Sequence, residues 1–95
     1  MEDTTFGKML RNFRTEGKFT QMDLQESSGI NNAYICRLEA NQHPPQSATV
    51  IALARAMRLS QEDEDRLMLA AGHVPEDVRR AIMANPEGML ARVRQ

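Results

Sequence analysis

The chain has 95 residues, of which 41% are apolar and 26% are charged, with a formal net charge of −1. This length and composition suit one globular domain and exclude disordered, fibrous and collagen-like chains. No apolar run approaches the roughly 20 residues of a membrane-spanning helix, and the polar start lacks the features of a signal peptide. We therefore expect a cytoplasmic protein without membrane contact. One cysteine, Cys36, and two distant histidines, His43 and His73, favour neither a disulfide framework nor a zinc site, and no cofactor is expected.

The first predicted element is a helix near the start of the chain. Apolar residues recur there at i, i+3, i+4 and i+7, the period of one helix face. They are Phe6, Met9, Leu10 and Phe13. We expect this helix to begin after Thr4 or Thr5 and to end near Gly17. No segment of useful length alternates with the period of two that a strand requires, so the predicted fold class is all-α.

Two short helices on either side of a glycine follow. Thr20 and the acid three residues later have the spacing of an N-cap signal, which predicts a second helix over 21–28. Gly29 should end it in the left-handed conformation. Asn31 should then cap a third helix over 32–40, which buries apolar residues on one side. Those residues are Ile35, Leu38 and part of Tyr34.

Two more helices follow the proline pair at 44–45, which forces a turn. After a cap at Gln46 or Ser47, apolar residues repeat with helical period in what we expect to be the central helix. They are Val50, Leu53, Ala54 and Met57. The fifth helix should begin at the cap Ser60 and end at Gly72.

The helices over 21–28 and 32–40 are the part of the sequence that predicts a function. A glycine turn holds such a pair at a steep angle, and the major groove of B-DNA admits one α-helix. The outward face of the second helix would carry Asn32, Ala33, Cys36 and Arg37. Between Ser27 and Gln61, three arginines are present and Glu39 is the only carboxylate. This local charge suits a polyanion, although the whole chain is slightly acidic.

An ordered set of residues carries a family resemblance over roughly Phe6 to Leu69. Its members are Leu10-Arg11, Arg14, Thr20-Gln21, Leu24, Gly29-Ile30-Asn31, Tyr34-Ile35, Arg37-Leu38-Glu39, Pro45, Leu53-Ala54, Ala56-Met57 and Leu59-Ser60. With these residues the chain resembles the lambda-repressor-like helix-turn-helix family, also called the XRE or Cro-type family. That family folds as a compact bundle of five helices, and its members are mostly bacterial or phage transcriptional regulators that often bind palindromic sites as dimers. On this resemblance we expect a DNA-binding domain over 1–72, and the residues mostly beyond the match, 73–95, are predicted to form a C-terminal helical extension.

The resemblance also implies a role for individual residues. Base-reading positions would be Asn32, Ala33 and Arg37. Phosphate contacts would be Gln21, Asn31, Tyr34, Asn41 and Gln42. Arg14 and Glu39 match a structural ion pair that ties the first helix to the third. Two residues depart from the family pattern, Gln25 where alanine is usual and Ser28 where an apolar residue is usual, which predicts looser packing of the motif.

The extension over 73–95 is expected to mediate self-association. Its apolar residues exceed what two terminal helices need for attachment, although they could also only cover the same core. They are Ile82, Met83, Met89, Leu90 and Val93. The predicted function is a dimeric regulator that binds double-stranded DNA, a repressor or the antitoxin-like half of a toxin–antitoxin pair. The rival is a protein-binding module on the same fold, which the near-neutral charge and Ala33 favour slightly. An enzyme is not expected, because no motif supplies a nucleophile, a base or a metal set.

Overall fold

The computed structural model describes residues 5–73 and Arg80. The range 5–73 contains the helices α1 (Phe6–Glu16), α2 (Gln21–Ser28), α3 (Asn32–Glu39), α4 (Ser47–Ala56) and α5 (Gln61–Ala70). No strand lies in that range, and the predicted all-α fold of five helices is confirmed. None of the described helices is long and apolar enough to cross a membrane. The five residues proposed for dimerisation lie outside the described residues.

Short polar side chains begin most of the helices. Thr5, Thr20, Asn31 and Ser60 each accept a hydrogen bond from a backbone N–H in the first turn of the following helix. At α2 the bond is reciprocal, since the Thr20 N–H donates to the Asp23 carboxylate at 2.8 Å. Gln46 occupies the cap position of α4 but makes no side-chain cap bond, because short side chains, unlike that of glutamine, suit this geometry.

The core lies where one side of each helix meets the others. α1 packs on α3 and α5, α2 packs on α3 and α4, and α4 packs on α5. The buried apolar residues are Phe6, Leu10, Leu24, Ile35, Leu38, Val50, Leu53, Ala54, Met57, Leu67 and Met68. α4 and its C-cap contribute the four residues whose period predicted a central helix, and all four are buried.

The start of α1 lies directly against the end of α3. A β-carbon placed on Gly7 would be 2.3 Å from the backbone oxygen of Glu39 and 2.7 Å from that of Leu38. The Gly7 N–H donates to Asn41 Oδ1 at 2.9 Å, just beyond α3. The absence of a side chain at Gly7 therefore sets how closely α1 supports α3. The sequence offered one signal for this contact, a glycine inside a helix where alanine would be favoured.

Candidate nucleic-acid interface

α3 has one buried side and one exposed side. Ile35 and Leu38 are fully buried. The exposed residues are Ala33, Cys36, Arg37 and Ala40. Their spacing of i, i+3, i+4 and i+7 makes a continuous stripe along the helix. Because the charged group on this stripe is the guanidinium of Arg37, the exposed side of α3 is positively charged.

An ion pair between α1 and α3 holds α3 in place. Arg14 donates from Nε to Glu39 Oε2 at 2.6 Å and from Nη2 to Oε1 at 3.0 Å. The same guanidinium donates from Nη1 to the carbonyl of Phe19 at 3.0 Å, which also ties down the loop before α2. The two side chains are 13% and 7% exposed. The hydrogen bond to Glu39 is the main reason that the pKa of Arg14 is raised, so the guanidinium stays charged.

Gln21 belongs to the same network. Its Nε2 donates to Glu39 Oε1 at 3.2 Å, and the residue is half-buried. The backbone N–H groups of Gln21 and Met22 have no acceptor among the described residues, as is usual in the first turn of a helix. The start of α2 therefore offers backbone donors to an anion, while part of the Gln21 side chain serves the fold.

The backbone N–H groups at the start of α3 all have acceptors within the fold. The Asn32 N–H donates to Gln25 Oε1 and the Ala33 N–H donates to Asn31 Oδ1, both at 2.8 Å. The next two amides both donate to the Asn31 carbonyl, at 3.0 and 3.1 Å. The first amides of α3 are therefore not free to bind phosphate, because each already has an acceptor. The Asn31 amide nitrogen remains as a donor, since only its oxygen forms the cap.

The two departures from the family pattern form hydrogen bonds at the junction of α2 and α3. Gln25 spans the junction through the bond described above. The Ser28 hydroxyl donates to the Leu24 carbonyl at 2.5 Å and accepts from the Ile30 N–H at 3.1 Å. Leu24, which is next to Gln25 and bonded to Ser28, is fully buried. Polar hydrogen bonds therefore stand at this junction where apolar contacts are usual in the family, and the looser packing stays a prediction.

Asn32 lies at the edge of the exposed stripe and not on it. It is half-buried, and its Nδ2 contacts the sulfur of Met22. The expectation of a wholly outward Asn32 is corrected, since residues of α2 hold both its backbone and its side chain. Ala33 and Arg37 are exposed on the outward face of α3.

The remaining residues proposed for phosphate contact lie in and around the loop after α3. Asn41 donates from Nδ2 to Thr5 Oγ1 at 3.1 Å while its Oδ1 accepts from the start of α1, so its side chain is mainly structural. Tyr34 is half-buried, with its ring centroid 5.8 Å from that of His43. Gln42 is exposed. Asn41 is exposed as well, but Gln42 is the one of these three whose side chain has no hydrogen bond or ring contact with a described residue.

A surface groove of about 320 Å³ runs between α1 and the exposed side of α3. It is lined by Arg11, Arg14, Gln21, Cys36, Glu39 and Ala40. Arg11 is exposed and makes no ion pair with a described residue, whereas Arg14 is neutralised by Glu39. Arg11 therefore adds a second positive charge beside α3. Sequence reasoning assigned it no contact, although it belongs to the matched family pattern.

The polar groups on the exposed side of α3 and beside it are suited to binding a ligand. Within them, no three His, Cys, Asp or Glu side chains are placed to hold a metal ion. Cys36 is an exposed free cysteine on the α3 stripe. The groups available to a ligand are N–H donors and guanidinium groups, which match an anionic polymer.

A model of the helix-turn-helix domain family matches residues 5–67. The chain is similar to the uncharacterized HTH-type transcriptional regulator RghRB of Bacillus subtilis (strain 168), with 38% identity over 80 residues that cover 80% of this chain and 55% of that protein. It is also similar to the HTH-type transcriptional repressor RghR of the same strain, with 37% identity over 73 residues, 76% of this chain and 52% of that protein. The chain thus spans about half the length of the curated relatives it matches. No solved structure matches it.

Proposed function

We propose that this chain, which belongs to the helix-turn-helix domain family, is a transcriptional regulator. It binds double-stranded DNA through the exposed side of α3. One observation carries the proposal: α3 presents a continuous, positively charged stripe and is held from behind by Gly7 and by the pair of Arg14 with Glu39. A rigidly held helix of this kind suits the major groove, which is about 12 Å wide. Because one relative is named a transcriptional repressor, repression is the proposed direction of control.

The residues divide into anchors and readers. The open amides at the start of α2, together with Gln21, Asn31 and Gln42, anchor the domain on phosphates, which fixes its register on DNA. Arg37 reads guanine through its O6 and N7 acceptors, and Asn32 reads a second base. Ala33 provides an apolar contact of the kind that suits the thymine methyl group.

Arg37→Ala tests this division directly. It should lose about 1 to 3 kcal/mol of binding free energy on the preferred site and lose discrimination at one base position per half-site. Gln21→Ala should weaken preferred and random duplexes by similar factors. The measurement is a competition assay at fixed salt, with single-base variants of an operator obtained by selection. The matched control is Arg66→Ala, because Arg66 is an exposed arginine on α5. Full base preference in Arg37→Ala would favour the rival function, a protein-binding module.

Salt dependence separates the two functions independently of any operator. If phosphates are bound, the logarithm of the affinity for random duplex falls linearly with the logarithm of the salt concentration, with a slope of about −0.9 per phosphate contact. A duplex affinity that does not change with salt would contradict DNA binding.

The protein is further proposed to bind a palindromic operator as a dimer and to be located in the cytoplasm. The apolar residues of 73–95 supply the proposed contact between two copies. In the described part, Leu69 near the end of α5 is 58% exposed and offers further apolar surface. A two-fold pair would place two α3 helices about 34 Å apart, one turn of DNA.

A further inference from the structure

Two residues of α2 hold the first residue of α3. Met22 and Gln25 are three positions apart, so they lie on the same face of α2. Gln25 Oε1 accepts from the backbone N–H of Asn32 at 2.8 Å, and the sulfur of Met22 contacts Asn32 Nδ2. The backbone and the side chain of Asn32 are therefore both held from α2.

The chemistry of the contact determines the orientation of the Gln25 amide. A backbone N–H only donates, so the Gln25 atom that faces it must be the oxygen. Gln25 Nε2 has no acceptor among the described residues, where no buried side-chain nitrogen or oxygen lacks a partner. That nitrogen therefore reaches solvent, and the oxygen is the atom of Gln25 that acts within the fold.

The hydrogen bond from the Asn32 N–H to Gln25 is not required for α3 to begin at this residue. First-turn amides are commonly bonded to water, and the alanine usual in the resembling family has no acceptor to offer. The bond instead fixes the backbone of Asn32 relative to α2, while Met22 restricts its side chain. With Nδ2 against the sulfur, Oδ1 is the atom of the Asn32 amide that has no partner among the described residues.

We propose that Met22 and Gln25 are positioning residues for base recognition, and that they make Asn32 an acceptor for an exocyclic amino group. The inference rests on the proposed DNA-binding function and names the class of base edge that is read. In the major groove, adenine N6 and cytosine N4 are donors, whereas guanine and thymine present acceptors and a methyl group. At the base opposite Asn32 the protein selects adenine or cytosine.

The test combines amide hydrogen exchange in the free protein with site selection from a randomised duplex library. Gln25→Ala should stay folded and speed exchange of the Asn32 amide about fivefold, the value of one hydrogen bond. It should lower the preference for adenine or cytosine at one position by about the same factor and leave the guanine position of Arg37 unchanged. Gln25→Glu keeps an acceptor oxygen, so it should restore both slow exchange and the base preference. Met22→Leu keeps the side-chain size without the sulfur and should relax the same position.

The control is Gln61→Ala, which removes an exposed glutamine that bonds only within α5 among the described residues. Unchanged exchange of the Asn32 amide in Gln25→Ala would overturn the inference. So would faster exchange with an unchanged preference, or selection of guanine or thymine at that position by the unmodified protein. If the unmodified protein shows no preference at any position, the proposed function fails and the inference fails with it. A base preference that Gln25→Ala and Met22→Leu both leave intact contradicts the inference alone.

Discussion

Among single residues, Glu39 joins the most elements at the interface. Its carboxylate accepts from Arg14 Nε, Arg14 Nη2 and Gln21 Nε2, so it connects α1, α2 and α3. Its side chain is 7% exposed. A buried carboxylate is stable when it is paired and hydrogen-bonded. Because its charge is compensated inside the fold, it does not oppose a phosphate outside.

Glu39→Ala should lower the free energy of unfolding by about 3 kcal/mol, because it leaves the nearly buried Arg14 without its main partner. The measurement is a urea titration followed by circular dichroism. The raised pKa of Arg14 means that its part of the stabilisation is present at ordinary pH and is lost only when alkaline pH passes the raised pKa.

Arg66→Ala is the matched control for this ion pair. Arg66 is 62% exposed, and its two contacts with acids on α5 are both 3.7 Å long. Such surface pairs contribute at most about 1 kcal/mol. Equal urea midpoints for Glu39→Ala and the unmodified protein would show that the pair of Arg14 with Glu39 does not stabilise the fold.

Gly7→Ala should destabilise the fold, against the usual effect of this substitution. In a helix, alanine is favoured over glycine by about 1 kcal/mol. Here the new β-carbon would lie 2.3 Å from the Glu39 carbonyl oxygen, so α1 and α3 must separate at a cost of about 1 to 3 kcal/mol. Thermal unfolding measures the change, with Asn12→Ala on the exposed side of α1 as a nearly neutral control. A higher melting temperature in Gly7→Ala would contradict the close contact.

Among the helices, α1, α3, α4 and α5 share one way of ending. Each is followed by a residue with positive φ, namely Lys18, Asn41, Arg58 and Gly72. The next residue donates its N–H to the carbonyl five positions earlier, which is the Schellman motif. At α1 and α4 that next residue is apolar and packs against the core. Tertiary packing thus holds Lys18 and Arg58 in the left-handed backbone conformation, which glycine adopts most easily.

Arg58→Gly should stabilise the protein by relieving this conformation. Arg58 has a φ of 56°, and the left-handed cost of about 1 to 2 kcal/mol exceeds the entropy that glycine loses, about 0.5 to 1 kcal/mol. The melting temperature should rise. Arg55→Gly, inside α4 with a largely exposed side chain, should lower it by the ordinary helix penalty of about 1 kcal/mol. Equal shifts in the two variants would show that Arg58 is not strained.

At the scale of the whole molecule, the fold distributes charge in a way that the net value hides. Glu62, Asp63 and Glu64 lie in the first turn of α5, which packs on α4 and α1. α3 packs on α1 and α2 instead. The acidic turn of α5 therefore belongs to a helix that packs on elements other than α3, while Arg11 and Arg37 are exposed at the candidate interface. A net charge of −1 does not argue against a nucleic-acid partner.

Removal of the residues after Ala84 should convert the proposed dimer to a monomer that still folds. The deletion takes away Met89, Leu90 and Val93, which supply much of the proposed apolar contact. Sedimentation equilibrium measures the mass, and Leu90→Glu tests the same contact in the full chain. Affinity for a palindromic site should fall more than affinity for a half-site. If both variants keep the oligomeric state of the unmodified protein, the interface does not lie in these residues. If the unmodified protein is itself a monomer, the proposed dimer is wrong.

The sequence by itself determined the order, number and starts of the described helices, and their ends to within one or two residues. Those signals are local: Thr20 and Ser60 cap the helix that begins one residue later, and apolar periodicity within a helix shows which side is buried. The family resemblance added the pairing of Arg14 with Glu39, which lie 25 residues apart.

Tertiary structure alone decided which polar groups of the candidate site are already in use. Gly7 meets Asn41 across 34 residues, and Gln25 reaches Asn32 only because Gly29, with a φ of 77°, turns α3 back against α2. No capping rule or periodicity encodes such contacts, since they depend on the angles between packed helices. The sequence therefore predicted the helix that we propose as the DNA-facing one, and the packing determined which of its amides and side chains remain available to a ligand.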